Sequence, residues 1–331
     1  MDFPSRPVKP FLRRPGQLLL GLWMACVALG SAAQDFPSRS IQMLVPFAAG
    51  GGLDLNARNL AEAMAENLGQ SIAVVNRDGA AGTIGLAAVA SARPDGYTLA
   101  FTPAVPLSSE PHRLKSLTYH LGSFRYVCQV FDNIFAIAVP GGSPYRSLAD
   151  ILAAARKEPG KLSYGTSGTG SIPHLGTSDI EASAKVVLTH VPYRGDAPML
   201  QDLISERLGF GAVLVSSITG HLNSGALRLI AVYADRRHPS FPDVPTLKEA
   251  GVPVVQASFG GVLAPANTPD AVVSKLEGAC RAAVASPKYQ AWARGANQVV
   301  DFRSGQDFER NLREDSRLKA ATIQRLGLSN P

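Results

Sequence analysis

Apolar residues after position 40 recur with two different periods along the chain. Mostly apolar runs such as Ile41 to Pro46, in which Gln42 is the one polar residue, have the length of a buried strand. Apolar residues between Ala57 and Leu68 instead return every three or four positions, as on one face of a helix. Strand, loop and helix then follow one another repeatedly. This alternation predicts an α/β fold with mostly parallel sheets and helices on both faces.

The same pattern predicts where the elements lie and how the chain divides. Strands are predicted over 41–46, 71–75, 98–101, 134–139, 163–164, 187–191, 210–215 and 254–263. Helices are predicted over 57–68, 83–92, 147–158, 246–250, 269–285 and 304–326, and from Pro173 and Ala197 onward. Because 331 residues exceed the size at which one core stops growing, we expect two lobes. Two crossings between them, near 134–139 and 254–263, imply a hinge. The expected ranges are 34–136 for the first part of lobe 1, 137–255 for lobe 2 and 256–331 for the rest of lobe 1.

The first 33 residues have the features of an export signal. A basic start precedes an apolar run over 18–29, and Ser31-Ala32-Ala33 supplies the small residues of a cleavage site. The alternative is a membrane anchor, but a run of about a dozen apolar residues is shorter than the roughly 20 needed to cross a bilayer. We therefore expect a signal peptide over 1–33, cleavage after Ala33 and a periplasmic protein.

Charge and cysteine content narrow the function classes. Of the net charge of +6, residues 1–33 supply four basic residues and one acid, which leaves +3 scattered over the remaining chain. Nucleic acids are bound by clustered basic residues, so we expect no nucleic-acid partner. An oxidising compartment permits a bridge between Cys128 and Cys280, but two cysteines do not make a disulfide scaffold, and the sequence favours unpaired thiols.

Two glycine-rich loops precede predicted helices at matching places in the two lobes. We call them loop 1 (Pro46–Asp54) and loop 2 (Gly165–His174). The first amides of a helix lack intrahelical acceptors and lie at the positive end of its dipole, so such loops bind anions. A tight turn without a ligand is the alternative for loop 1. Neither loop contains Lys or Arg, so a carboxylate fits better than a phosphate ester. Arg194, the only cation expected near them, either screens the ligand charge or lies in solvent.

An enzymatic alternative arises from Ser167 in loop 2. A periplasmic esterase would use this serine with His174 or His190 as its base, but the nucleophile-elbow pattern fails because Thr169 stands where it requires glycine. Apart from Asp235 and His238, no histidine has a carboxylate three or four positions away, and that single pair does not make a zinc ligand set, so no zinc site is predicted. We expect no catalytic residue, no metal and no cofactor.

A series of short motifs runs in order through the chain after residue 35. They are Phe36-Pro37-Ser38-Arg39, Pro46-Phe47-x-x-Gly50-Gly51-x-x-Asp54, Asn76-Arg77-x-Gly79-Ala80-x-Gly82, Asp95-Gly96-Tyr97-Thr98-Leu99, Tyr164-x-x-x-Gly168 with His174-Leu175, Val191-Pro192-Tyr193-Arg194-Gly195, Pro242-Asp243-Val244-Pro245-Thr246 with Glu249-Ala250-Gly251, and Ala264-Pro265-x-x-Thr268-Pro269. With these motifs the chain resembles the Bug (Bordetella uptake gene) family of extracytoplasmic receptors, the binding components of tripartite tricarboxylate transporters. The resemblance implies a periplasmic-binding-protein fold of type II (Venus flytrap), with a ligand carboxylate held by amides and waters of loop 1.

The predicted ligand-binding residues combine both loops with neighbouring strand ends. They are Phe47, Ala49, Gly50, Gly51, Asp54, Thr102, Ser167, Gly168, Thr169, Ser171, His174, Asp196, Val213 and Ser216. The family often has an acid and then a polar residue where this chain has Val213 and Leu214, so we expect a ligand with an apolar or aromatic body rather than a short amino-acid-like diacid. The expected partners are a small carboxylate and transporter membrane subunits, with the receptor itself a monomer that does not span the membrane. A loaded receptor that docks on a sensor kinase is the alternative.

Overall fold

The computed structural model describes Met1, residues 36–256 and residues 258–329. The chain divides into two compact units, 1–38 and 39–331, and the second contains every described helix and strand. The predicted signal peptide lies, apart from Met1, outside the described residues. No described helix is both long enough and apolar enough to cross a membrane.

Strands and helices alternate through residues 41–325. The strands are β1 (Ile41–Val45), β2 (Ile72–Asn76), β3 (Thr98–Pro103), β4 (Phe124–Asp132), β5 (Phe135–Pro140), β6 (Ser163–Thr166), β7 (Thr189–Pro192), β8 (Phe210–Leu214), β9 (Leu227–Val232), β10 (Phe259–Pro265) and β11 (Val299–Ser304). The helices are α1 (Gly52–Leu68), α2 (Thr83–Ala90), α3 (Val105–Ser108), α4 (Glu110–Arg113), α5 (Leu148–Lys157), α6 (Ile172–Ala184), α7 (Asp196–Ile204), α8 (Thr219–Asn223), α9 (Asp270–Ala285), α10 (Pro287–Gly295) and α11 (Gly305–Arg325). Short 3₁₀ turns occupy Ala80–Gly82, Leu121–Ser123 and Val215–Ser217.

The strands form two sheets, which define two lobes. Lobe 1 contains the order β11-β4-β10-β3-β1-β2, and lobe 2 contains β7-β6-β8-β5-β9. The expectation of mostly parallel sheets is wrong, because both sheets are mixed. In lobe 1, β1 pairs in parallel with β2 and β3, whereas β10 and β11 pair antiparallel with their neighbours. In lobe 2, β6 is parallel to β7 and β8, and β5 is antiparallel to β8 and β9. Three of the described strands run opposite in direction to the other strands of their sheets, namely β5, β10 and β11. Each of them comes after a point where the chain passes from one lobe to the other.

The chain passes between the lobes twice. It leaves lobe 1 after β4 and enters lobe 2 at β5, and it returns after β9 to begin β10. The two passages lie side by side, since the Asn133 amide donates to the Ser258 carbonyl at 2.5 Å. Helix α11 of lobe 1 also contacts α6 of lobe 2, where Thr322 Oγ1 donates to Asp179 Oδ1 at 2.8 Å and Arg325 Nη1 donates to Ser178 Oγ at 2.8 Å. The exact lobe boundaries stay a prediction.

Several element ends follow directly from local chemistry. Helix α1 ends at Gly69, which adopts the left-handed conformation typical of a C-cap. Helix α5 begins at a capping box, in which the Ser147 hydroxyl and the Asp150 carboxylate each accept a backbone amide of the other. Apolar strands then pack against helices, so that lobe 1 has a core cluster that includes Leu263, and lobe 2 has clusters on both faces of its sheet. The glycine loops are thereby held at the ends of rigid strands.

The structure corrects other expectations about the elements. Strands β4, β9 and β11 and helices α3, α4, α8 and α10 were not predicted. The predicted helix 246–250 is a hydrogen-bonded turn, in which Glu249 Oε2 accepts from the Thr246 amide at 2.8 Å. The predicted strand 254–263 begins only at Phe259, because the preceding residues form the passage between lobes.

Cys128 and Cys280 form a disulfide, contrary to the expectation of unpaired thiols. Cys128 lies on β4 and Cys280 on α9, so the bridge joins a strand of lobe 1 to the helix that covers it. Both side chains are fully buried. Since the cysteines are 152 residues apart in sequence, the bridge encloses all of lobe 2 in one covalent loop.

Candidate ligand-binding site

Loop 1 is organised by the carboxylate of Asp54. Asp54 Oδ2 accepts the backbone amide of Gly50 at 2.9 Å, and Oδ1 accepts the side-chain amide of Asn76 at 2.9 Å. Arg58, one helical turn further on, donates Nε to Oδ2 at 3.0 Å. This hydrogen bond to Arg58 is the main reason that the pKa of Asp54 falls to about 2, although burial opposes it. Asp54 is only 2% exposed, so its carboxylate shapes the loop from within.

The helix start that follows is open to solvent. Ala49, Gly50 and Gly51 of loop 1 are exposed, and Gly51 has no side chain that could cap the amides of α1. Asn76 Nδ2 also donates to the Phe47 carbonyl at 3.1 Å, which ties the loop to the end of β2. The half-buried ring of Phe47 lies beside Gly82, where an added Cβ would be 3.2 Å from Cε2. Loop 1 therefore presents amides beside an aromatic ring.

Loop 2 is held by a different set of contacts. Thr166 Oγ1 lies 2.7 Å from Nε2 of His190 and 3.2 Å from the Gly168 carbonyl. Ser171 Oγ donates to the same carbonyl at 2.7 Å, and the Gly170 amide donates to Nδ1 of His174 at 3.0 Å. These bonds fix the loop through its own side chains. Ser167 and Ser171 are partly exposed and Thr169 is exposed, so hydroxyls remain at the surface of the loop.

The two histidines of this site stack on each other. Their ring centroids are 4.0 Å apart, and His190 also stacks on Tyr164 at 5.0 Å. Burial lowers the pKa of His190 to about 4, and His174 adds to this effect. Burial and then the charge of Arg113 lower the pKa of His174. Both imidazoles are therefore neutral at neutral pH and can accept the hydrogen bonds that shape loop 2.

The esterase geometry does not appear in these contacts. Among the described residues, the side chains of His190 and His174 hydrogen-bond to Thr166 and Gly170, and no hydrogen bond joins Ser167 to either histidine. No group of three His, Cys, Asp or Glu side chains able to hold a metal ion occurs in the described part of the chain.

The other predicted residues of lobe 2 lie at the same sheet edge as loop 2 but in different environments. Burial raises the pKa of Asp196, and its Oδ1 is buried with no hydrogen-bond partner among the described residues. Ser216 is partly exposed in the turn after β8. Val213 is fully buried and packs in a core cluster of lobe 2, whereas the neighbouring Leu214 is half-buried at the strand end.

Thr102 lies at the corresponding edge of lobe 1. It is fully buried, and its Oγ1 donates to the Pro103 carbonyl at 3.0 Å. Contact of these residues with a ligand stays a prediction.

Arg113 was not among the predicted site residues. The expectation that Arg194 is the only cation near the two loops is therefore wrong. Arg194 is exposed. Arg113, from α4 of lobe 1, lies against loop 2, where a Cβ added at Gly170 would be 3.0 Å from its Cζ. No sequence pattern links Arg113 to loop 2, because Arg113 stands 57 positions before Gly170 and reaches it only through the packing of the lobes.

A two-lobed α/β protein with an amide-rich loop on each lobe has the architecture of a solute-binding protein. Residues 56–328 match the family model described as "Tripartite tricarboxylate transporter family receptor" (TctC), and the chain belongs to this family. It is a family of periplasmic substrate-binding receptors. The resemblance to Bug proteins is thereby confirmed.

Individual relatives agree with this assignment. The protein BugT of Bordetella pertussis is 30% identical over 272 residues, which cover 78% of this chain and 81% of BugT. A TctC solute-binding protein from Polaromonas superposes with a TM-score of 0.81 at 28% identity, covering 88% of this chain and 99% of the other. An R. palustris protein solved with adipate gives a TM-score of 0.74 at 31% identity, with 88% and 99% covered. MatC from Rhodopseudomonas palustris, solved with malate, gives 0.70 at 27% identity, with 87% and 100% covered.

Proposed function

We propose that this protein is exported by its N-terminal signal peptide and captures a small carboxylate in the periplasm for a tripartite-type transporter. The observation that carries the proposal is the open helix start of loop 1. Residues 48–52 are exposed at the start of α1, and the carboxylate that shapes the loop by accepting the Gly50 amide lies behind the loop rather than on its surface. A helix start of this kind binds an anion through amides and dipole without needing a cationic side chain.

The finer part of the proposal is a ligand with an apolar body. Phe47 in loop 1 and Leu214 at the end of β8 are both half-buried, so each offers apolar surface at the carboxyl edge of its sheet. Adipate, found in one relative, is a carboxylate with an aliphatic middle. Val213 does not contribute such surface through its side chain, because that side chain is in the core.

A pair of substitutions at Gly52 tests the amide site. Gly52 is the first residue of α1, a position that suits proline, and the preceding Gly51 has φ −76° and ψ 168°, as a residue before proline prefers. A Cβ added at Gly52 meets no atom within 4 Å. Gly52→Pro therefore removes one N–H with little strain, and Gly52→Ala is the matched control that keeps it.

The measurement is a thermal-shift and calorimetry screen of aliphatic and aromatic carboxylates, with inorganic phosphate and organic amines as comparison. A ligand at 100 times its Kd adds about 2.7 kcal/mol of stability. We expect carboxylates to stabilise the protein, Gly52→Pro to weaken their binding roughly tenfold and Gly52→Ala to leave it unchanged. Stabilisation by amines alone would overturn the proposal. Tight binding of aspartate or succinate with no binding of benzoate-like acids would overturn its apolar part.

A further inference from the structure

Helix α4 of lobe 1 reaches across to loop 2 of lobe 2. The Arg113 guanidinium lies against Gly170, such that a Cβ added there would be 3.0 Å from Cζ, 3.2 Å from Nε and 3.3 Å from Nη1. Gly170 is buried and has φ +78°, so this position requires glycine both for its backbone and for the space that Arg113 occupies. A cation from one lobe thus touches the predicted ligand loop of the other.

Two donors of this segment have no hydrogen-bond acceptor in the part of the chain that the structure describes. Nε of Arg113 and Oγ of Ser109 are buried, and neither has a hydrogen-bond partner within the described residues. Ser109 is only 1% exposed. The two residues are four positions apart, and backbone hydrogen bonds from His112 to Ser109 and from Leu114 to Glu110 keep this stretch helical, so they lie on one face. Buried donors are normally paired, so two unpaired donors on one face indicate a missing acceptor.

The surrounding charges favour an anionic acceptor. Glu110 Oε1 accepts from Nη1 of Arg113 at 3.0 Å, which fixes the guanidinium while its other N–H groups remain for a further partner. His174, which faces the same place, has a pKa lowered first by burial and then by Arg113, so it is neutral and does not compete for an anion. A guanidinium and a hydroxyl together suit a carboxylate.

We propose that Arg113 and Ser109 bind a second anionic group of the ligand, so that the receptor selects dicarboxylates with an apolar middle over monocarboxylates. This inference rests on the proposed function, because it names the residues that bind the second end of the same carboxylate ligand. Loop 1 then binds one carboxylate through amides, and α4 with loop 2 binds the other through charged hydrogen bonds.

The test compares dicarboxylates with monocarboxylates of equal carbon number by calorimetry, using adipate with hexanoate, pimelate with heptanoate, and terephthalate with benzoate. In the unmodified protein we expect at least one diacid to bind roughly tenfold to a hundredfold tighter than its partner. Arg113→Gln should bring this ratio close to one and leave the affinity for the monoacid unchanged. Ser109→Ala should reduce the ratio several-fold, and it is the safer variant because the Ser109 hydroxyl has no hydrogen-bond partner among residues 36–256 and 258–329.

Two control variants separate this role from a merely structural one. Arg194→Gln removes an exposed cation near loop 2 and should change neither affinity. Arg325→Gln removes a contact between the lobes at Ser178 and should weaken diacid and monoacid equally. If Arg113→Gln behaves like Arg325→Gln, or if the unmodified protein does not favour any diacid, this inference is wrong while the proposed function stands. If no acid of either series binds, the proposed function itself fails.

Discussion

The bridge between Cys128 and Cys280 allows a quantitative test of the architecture. Removing it frees the unfolded chain from a covalent loop that the two cysteines, 152 residues apart, would otherwise close. The loop-entropy relation gives about 5 kcal/mol for a loop of this length, and native disulfides typically contribute about 2–5 kcal/mol. We therefore expect the double variant Cys128→Ala with Cys280→Ala to lose about 2–5 kcal/mol of unfolding free energy. Ligand affinity should be unchanged, because the bridge joins β4 to α9 and neither cysteine belongs to loop 1 or loop 2.

The assay is guanidinium unfolding of the mature chain produced in an oxidising compartment, followed by circular dichroism. Thiol titration in denaturant establishes that the bridge is present in the starting protein. Each single alanine variant serves as a control, since loss of either sulfur already opens the loop, and should be about as destabilised as the double variant. A loss below about 1 kcal/mol in protein whose bridge is intact would refute the loop-entropy reasoning.

Two further predictions concern the loops. Asp54→Asn keeps the shape of the side chain but removes the charge that accepts from Gly50 and Arg58, so carboxylate binding should weaken roughly tenfold, while Leu55→Ala at an exposed neighbouring position should not change it. An unchanged Kd for Asp54→Asn would contradict the organising role of this carboxylate. Acid should destabilise the protein as the pH falls from 6.5 towards 4, because burial lowers the pKa of His190 to about 4 and the unfolded chain therefore takes up a proton first. His190→Gln should remove up to about one proton from the slope of stability against pH in urea titrations, and an equal slope in both proteins would argue against a buried neutral imidazole.

Much of the fold was accessible from the sequence because its signals are local. The first strand was predicted to within one residue, and the end of the first helix at Leu68 was predicted correctly, because an apolar run and a helical stripe are local signals. The helix begins at Gly52, five residues before the predicted start, because the glycines of loop 1 already form its first turn. The helix start at Ser147 was predicted from its capping residue and has the expected capping box. Positions of this kind depend on neighbours within about four residues, which the sequence displays directly.

Other features of the structure could not be predicted, because they depend on residues that are far apart in the sequence. Strand β4 mixes polar and apolar residues, and it becomes a strand only through pairing with β10 and β11, which follow more than 120 residues later. The disulfide required knowing that α9 covers β4. Arg113 belongs to no recognisable motif, because its contact with loop 2 arises from the packing of the two lobes. In loop 1 the residue types were informative, but the inward direction of the Asp54 carboxylate was visible only in its hydrogen bonds.

The adjacent passages between the lobes have a consequence for engineering. Because the Asn133 amide bonds to the Ser258 carbonyl, lobe 2 leaves and rejoins the rest of the protein at neighbouring points, like a cassette inserted into a host domain. A graft of this cassette from another receptor of the family would need only two adjacent splice points, and the host bridge would still enclose it. Such chimaeras would combine lobe 1 of one protein, with its amide loop, and lobe 2 of another. They would show which of the two lobes determines the solute specificity.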